Sequence, residues 1–135
     1  MCSVSIRMHS DDGENYSYQG SLRLKNGRYF VLYEENGVQT VLRIEEHRMA
    51  VLRDDAHGGH MVYDPGRNQI VDYQTADGTI RFLLRTQHYE RSVIQDQLSV
   101  QVRYALYLMS GDLFEPEGCP DAVRALTVEI RWVSD

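Results

Sequence analysis

The stretch Leu98-Ser99-Val100-Gln101-Val102-Arg103-Tyr104-Ala105-Leu106-Tyr107-Leu108-Met109 decides the fold. Leu98, Val100, Val102, Tyr104, Leu106 and Leu108 are apolar; Ser99, Gln101 and Arg103 between them are polar, and the pattern mixes only at Ala105, Tyr107 and Met109. Successive side chains of a strand point to opposite faces of a sheet, so a period of two marks a long, half-buried β-strand. The same alternation runs through Ile80, Phe82 and Leu84 against Thr79, Arg81 and Arg85. It recurs in Leu126, Val128, Ile130 and Trp132 against Thr127, Glu129 and Arg131, and in Val4, Ile6 and Met8 against Ser3, Ser5 and Arg7. Val123, Leu126, Ile130 and Val133 also fit a helical stripe with Asp121 as N-cap. The β-branched and aromatic content of Thr127–Trp132 favours the strand.

Turn chemistry punctuates these runs. Asn26-Gly27, Asn36-Gly37 and Asp77-Gly78 each separate two strand-like segments and tolerate the positive φ that tight hairpins require. Asp64-Pro65-Gly66 adds a turn in which proline presets φ and glycine relieves it. Strands are predicted at 3–9, 16–25, 28–34, 38–45, 49–54, 60–63, 69–75, 79–87, 97–109 and 124–133. The interval from His88 to Asp96 fits a strand continuation, a loop or a single helical turn. Gly111 to Pro120, with Gly111, Pro116, Gly118 and Pro120, reads as a long surface loop.

Consecutive strands joined by short turns pair antiparallel, which gives a meander. An open sheet of about ten strands would curl and expose aggregation-prone margins. A sandwich needs long crossing connections, whereas an up-and-down barrel removes the margins with short ones. The expectation is therefore all-β: one domain over residues 1–135, forming a single closed or nearly closed antiparallel meander barrel of eight to ten strands.

Composition fits that fold and narrows the function. A chain of 135 residues buries roughly two-thirds of its unfolded surface, enough to stand without disulfide or metal staples. Its 20 acidic and 14 basic residues give a net charge of −6, which opposes non-specific binding to nucleic acid or anionic membranes. No apolar run approaches the length of a membrane-spanning helix, and Met1–Ser10 lacks the apolar block of a signal peptide. A cytoplasmic protein is the expectation. Cys2 and Cys119 lie far apart outside any metal-binding spacing and read as two free thiols. All basic residues except Lys25 are arginines.

The chain also resembles a known family, the YwiB-like bacterial proteins of unknown function. The similarity begins at Gly20 and runs through Lys25-Asn26-Gly27-Arg28-Tyr29, Leu32-Tyr33-Glu34-Glu35 and Thr40-Val41-Leu42-Arg43-Ile44. It continues at Arg53, Met61, Tyr63, Tyr73, Thr75 and Gly78, then through Leu98, Val100, Tyr104 and Leu106. The resemblance implies a lipocalin-like, calycin-type barrel and no particular activity, because a shared barrel does not fix a function. Two departures stand out: Asp54-Asp55-Ala56-His57-Gly58-Gly59-His60, where the family places a glycine soon after Arg53, and the Gly111–Pro120 loop.

Candidate chemistry centres on Arg53, which shares a strand face with Met49 and Val51. An inward guanidinium needs a partner, and its fork suits a carboxylate or phosphate. That partner is either a ligand, held with Tyr104, or an internal acid such as Glu34; an arginine at the barrel mouth is the third possibility. Nine tyrosines, among them Tyr33, Tyr63, Tyr73 and Tyr104, suit a ligand cradle but also favour strands for propensity alone. His57 and His60 with Asp54 and Asp55 invite a metal, yet such a loop is more often a plain solvated turn, which is the expectation here. Asp11-Asp12-Gly13-Glu14-Asn15 lacks the ligand order of a calcium loop.

No nucleophile elbow, phosphate loop or metalloprotease motif occurs, so no catalytic residue, metal or cofactor is assigned. Arg81, Arg85, Arg103 and Arg131 form too sparse a basic face for nucleic acid on an acidic chain. The expected function is a non-catalytic module binding a small, partly apolar, acidic ligand in the barrel through Arg53, Tyr104, Tyr33, Glu34, Tyr63 and Tyr73. The alternative is a solid barrel serving protein interaction or homodimer assembly, with Leu83, Tyr107 and Met109 as an outer apolar patch.

Overall fold

A computed structural model describes residues 2–54, 60–109 and 119–133. Among these residues ten strands make one antiparallel sheet: β1 (Cys2–Ser10), β2 (Asn15–Lys25), β3 (Arg28–Glu35), β4 (Val38–Ile44), β5 (Met49–Arg53), β6 (His60–Tyr63), β7 (Gln69–Thr75), β8 (Gly78–Ile94), β9 (Gln97–Leu108) and β10 (Ala122–Trp132). The spatial order is β6-β5-β4-β3-β2-β1-β10-β9-β8-β7. The long β1–β10 ladder, from Val4↔Trp132 to Ser10↔Leu126, joins the two ends of the meander and rolls the sheet into a nearly closed barrel. Among the described residues no helix is long and apolar enough to cross a membrane.

The hairpins carry the turn residues read from the sequence. Asn26 and Gly27 take φ of 54° and 75°, and Asn36 and Gly37 take 51° and 83°, the paired positive angles of a tight two-residue turn. Alternation places Val4, Ile6, Val31, Leu42, Ile44, Leu98, Val100, Val128 and Ile130 inside, each 1% exposed or less. All of them but Leu42 and Val128, which border the other half, lie in the half of the barrel nearer the β2–β3 and β8–β9 turns. That half is solid.

Two details were left open by the sequence or differ from expectation. The interval after His88 is a strand continuation, because β8 runs unbroken for 17 residues. It contains a bulge: Thr86 pairs with Tyr104 and His88 with Arg103, leaving Gln87 as the extra residue. A bulge shifts the two-residue period by one. Leu84 and Thr86 face inward before it, and Tyr89 and Arg91 do so after it. The Tyr89 hydroxyl then donates to the Glu45 carbonyl across the barrel base at 2.7 Å, and the Arg91 guanidinium lies 5.5 Å from the centre of the Tyr29 ring.

The second difference is at β6 and β7. They are consecutive in the chain and joined by a short turn, yet they form the two margins of the sheet and share no ladder. The Gln69 side chain spans the seam. Its Oε1 accepts from the Val62 N–H at 2.7 Å, and its Nε2 donates to the His60 carbonyl at 3.0 Å. One carboxamide thus stands in for a rung of backbone pairing. Gln69→Ala is expected to destabilise the barrel by about 1–2 kcal/mol, since it leaves a partly buried N–H unpaired. Hydrogen exchange at Val62 should accelerate with it; unchanged protection there would show that the seam is held by something else.

Candidate functional site

The other half of the barrel is hollow. A cavity of about 240 Å³ opens at the end that carries the β1–β2 and β3–β4 turns. Its position follows from the alternation. In β3, Val31, Tyr33 and Glu35 share the inward face; in β5, Met49, Val51 and Arg53 do so; in β9 and β10, Tyr104, Leu126 and Val128 complete the wall. Leu42 and Met49 form the floor, where the hollow half meets the solid one.

Four of the six residues singled out from the sequence, Tyr33, Arg53, Tyr63 and Tyr104, line this cavity together. Glu34 does not: it is one residue out of phase with Tyr33 and points to solvent. Its neighbour Glu35 is inward and takes the role of internal partner to Arg53. The Arg53 Nε and Nη2 both reach Glu35 Oε2, at 3.2 and 3.1 Å, and the Tyr18 hydroxyl donates to Oε1 at 3.3 Å. Tyr73 is also displaced. It faces inward from β7 but stands beyond the cavity wall, 38% exposed, with its ring edge-on to Phe82 at 5.5 Å.

Sequence reasoning passed over Arg124. It shares the inward phase of Leu126 and Val128 and is paired with Tyr104 across β9 and β10. Its Nε lies 3.8 Å from Asp12 Oδ2, a loose contact. The signal was present in the alternation of the last strand. Among the described residues the rim therefore carries two guanidinium groups, Arg53 and Arg124, with Asp12, Glu14 and Glu35 as the nearby acids.

The tyrosines inside are neutral hydrogen-bond donors. Burial pushes the Tyr33, Tyr63 and Tyr104 hydroxyls above the usual phenol range; Glu35 adds to the effect at Tyr33. They keep their protons at any physiological pH. The rings pack as tilted pairs, Tyr18 on Tyr33 at 4.8 Å and Tyr63 on Tyr104 at 5.1 Å. Outside the cavity, Tyr73, Ile80, Phe82 and Leu108 continue the inward faces of β7, β8 and β9 past the rim. Tyr73, Ile80 and Leu108 remain 38%, 39% and 49% exposed there, leaving an apolar ledge at the mouth.

The other candidates fall as follows. His57, with residues 55–59, and residues 111–118 lie outside the described residues. Among the described residues no group of three or more His, Cys, Asp or Glu side chains is placed to hold a metal ion. Asp12 closes the β1–β2 turn by accepting the Glu14 N–H at 3.1 Å. Cys2 and Cys119 are free and exposed. Tyr107 is on the outer face yet only 6% exposed, with the Arg85 guanidinium 5.9 Å from its ring centre.

Over residues 3–115 the sequence matches a family described as a domain of unknown function (DUF1934). The chain belongs to this family. Among solved structures, the DUF1934 chain is similar to the crystal structure of the YwiB protein from Bacillus subtilis. The TM-score is 0.71 at 14% sequence identity, over 98% of this chain and 93% of that one. At that identity the likeness carries the fold and nothing finer. No curated protein matches the sequence.

Proposed function

We propose that the protein is a non-catalytic binding module that takes a small, partly apolar, acidic ligand into the mouth of its barrel. One observation carries the reading: the barrel is filled at its base and hollow at its mouth, and the hollow is rimmed by Arg53 and Arg124. A barrel of this size encloses space for packed side chains or for one small ligand, and here it divides between the two.

The chemistry of the wall matches such a ligand. Arg53 is one-third exposed, and its pair with Glu35 contributes about 0–1 kcal/mol, so a competing carboxylate displaces Glu35 at little cost. The neutral hydroxyls of Tyr63 and Tyr104 donate to the same acid group, while Leu42, Met49 and Val51 receive its apolar part. The ledge of Tyr73, Ile80 and Phe82 extends that apolar surface outward. Fatty acids, nucleotides and other acidic metabolites are the classes to screen by thermal shift. A hit should raise the melting midpoint of the native protein, and Arg53→Met should abolish the rise while leaving the unliganded midpoint within a few degrees. An equal rise in Arg53→Met, or none with any acidic compound, would remove the proposed role of the mouth.

A further inference from the structure

A second group of cations lies on the outer surface beside the β6–β7 seam. Arg43, Arg48, His60 and Arg67 line a groove of about 430 Å³ in which, among the described residues, Asp64 is the sole acidic lining residue. This runs against the overall charge of the chain, which is −6. The arginines are gathered by one glutamate. Glu45 receives Arg28 at 3.0 Å on Oε1, and both Arg48 and Arg43 on Oε2, at 2.8 and 3.6 Å. The Arg48 hydrogen bond, ahead of the charges of Arg28 and Arg43, holds the Glu45 carboxyl below its usual range, so it stays ionised.

One carboxylate cannot satisfy three guanidinium groups. The Arg43 Nε is buried without a hydrogen-bond partner. Arg48 reaches Asp64 only at 3.9 Å. Arg67 makes no ion pair among the described residues, and its backbone is fixed by its N–H, which donates to the Asp64 carbonyl at 3.1 Å. Asp64 is itself pinned by accepting the Gly66 N–H at 2.9 Å. Arg48 is held by Glu45, the Arg67 backbone is fixed by the turn, and among the described residues the group remains under-neutralised.

We propose that this groove is a phosphate site that takes the dianionic end of a small phosphate monoester. A carboxylate presents two oxygens, which a single guanidinium fork serves. A phosphate monoester presents three oxygens and close to two negative charges, which suits three guanidinium groups converging from β4, the β4–β5 turn and the β6–β7 turn. The fold places them together: the β6–β7 turn bearing Arg67 lines one groove with Arg43 of β4, Arg48 of the β4–β5 turn and His60 of β6.

Side-chain Nε–H resonances of the whole protein give the test, titrated at pH 7.5 and constant ionic strength with inorganic phosphate, glycerol 3-phosphate and acetate. Both phosphates should shift the Arg43, Arg48 and Arg67 signals along one saturable curve, the ester at least as tightly as the free ion. Acetate should bind about tenfold more weakly. Arg67→Gln, on an exposed turn, should weaken phosphate binding about fivefold or more with no change in melting midpoint. The proposal is overturned by an equal response to acetate, by exclusion of the ester, by unchanged affinity in Arg67→Gln, or by no saturation below about 20 mM.

Discussion

Gly20→Ala is expected to destabilise the barrel by about 3 kcal/mol, although alanine ordinarily outperforms glycine inside a strand. Gly20 sits in the middle of β2, paired with Val4 on one side and Tyr33 on the other. A methyl group there would run into the Leu32 carbonyl oxygen, with Ile6 Cδ1 at 3.1 Å and Tyr33 Cβ at 3.2 Å. The carbonyl belongs to the neighbouring strand and cannot rotate away, and Ile6 is fully buried. The strands must part or β2 must bend. Because Tyr33 lines the cavity and packs against Tyr18, the strain should also disturb the pair between Arg53 and Glu35. Urea unfolding measures the first effect; a loss below about 1 kcal/mol would mean that the wall yields at this point.

Leu42→Ala should cost about 2–3 kcal/mol, the lower part of the range for emptying a buried leucine site. Leu42 is 1% exposed and belongs to the core, yet it also lines the floor of the mouth cavity. The space it vacates joins an existing hollow rather than forming a sealed void. The same substitution should therefore deepen the pocket and shift preference toward acids with longer apolar tails. Denaturant unfolding and a thermal-shift series of increasing chain length measure the two effects together. Destabilisation without any shift in preferred length would separate the cavity from ligand binding.

The strands were legible because alternation is a local signal. Leu98–Leu108 and Leu126–Trp132 declare their faces residue by residue, and the Asn-Gly pairs fix where each ribbon reverses. Arg53 was legible by the same route, through its phase with Met49 and Val51. Glu35 and Arg124 obey that rule as plainly: counting by two from Val31 leads to Glu35 rather than Glu34, and counting back from Val128 leads to Arg124. The bulge was not legible. Gln87 has no composition that marks it, and one extra residue reverses the phase of everything after it, which is why His88–Asp96 read ambiguously. The seam was hidden for another reason. Whether two consecutive strands pair depends on how the whole sheet closes, and neither the turn at Asp64–Gly66 nor Gln69 announces that a side chain substitutes for the ladder.

The β1–β10 ladder joins residues 4–10 to residues 126–132. During vectorial synthesis on the ribosome β1 is made before β10, so the flank of β1 opposite β2 stays unpaired until β10 has been made. Contacts so distant in sequence form slowly, and an unclaimed flank invites the wrong neighbour in the meantime. The polar Ser3, Ser5 and Arg7 that alternate along β1 make that waiting strand a poor template for sticking to another nascent chain.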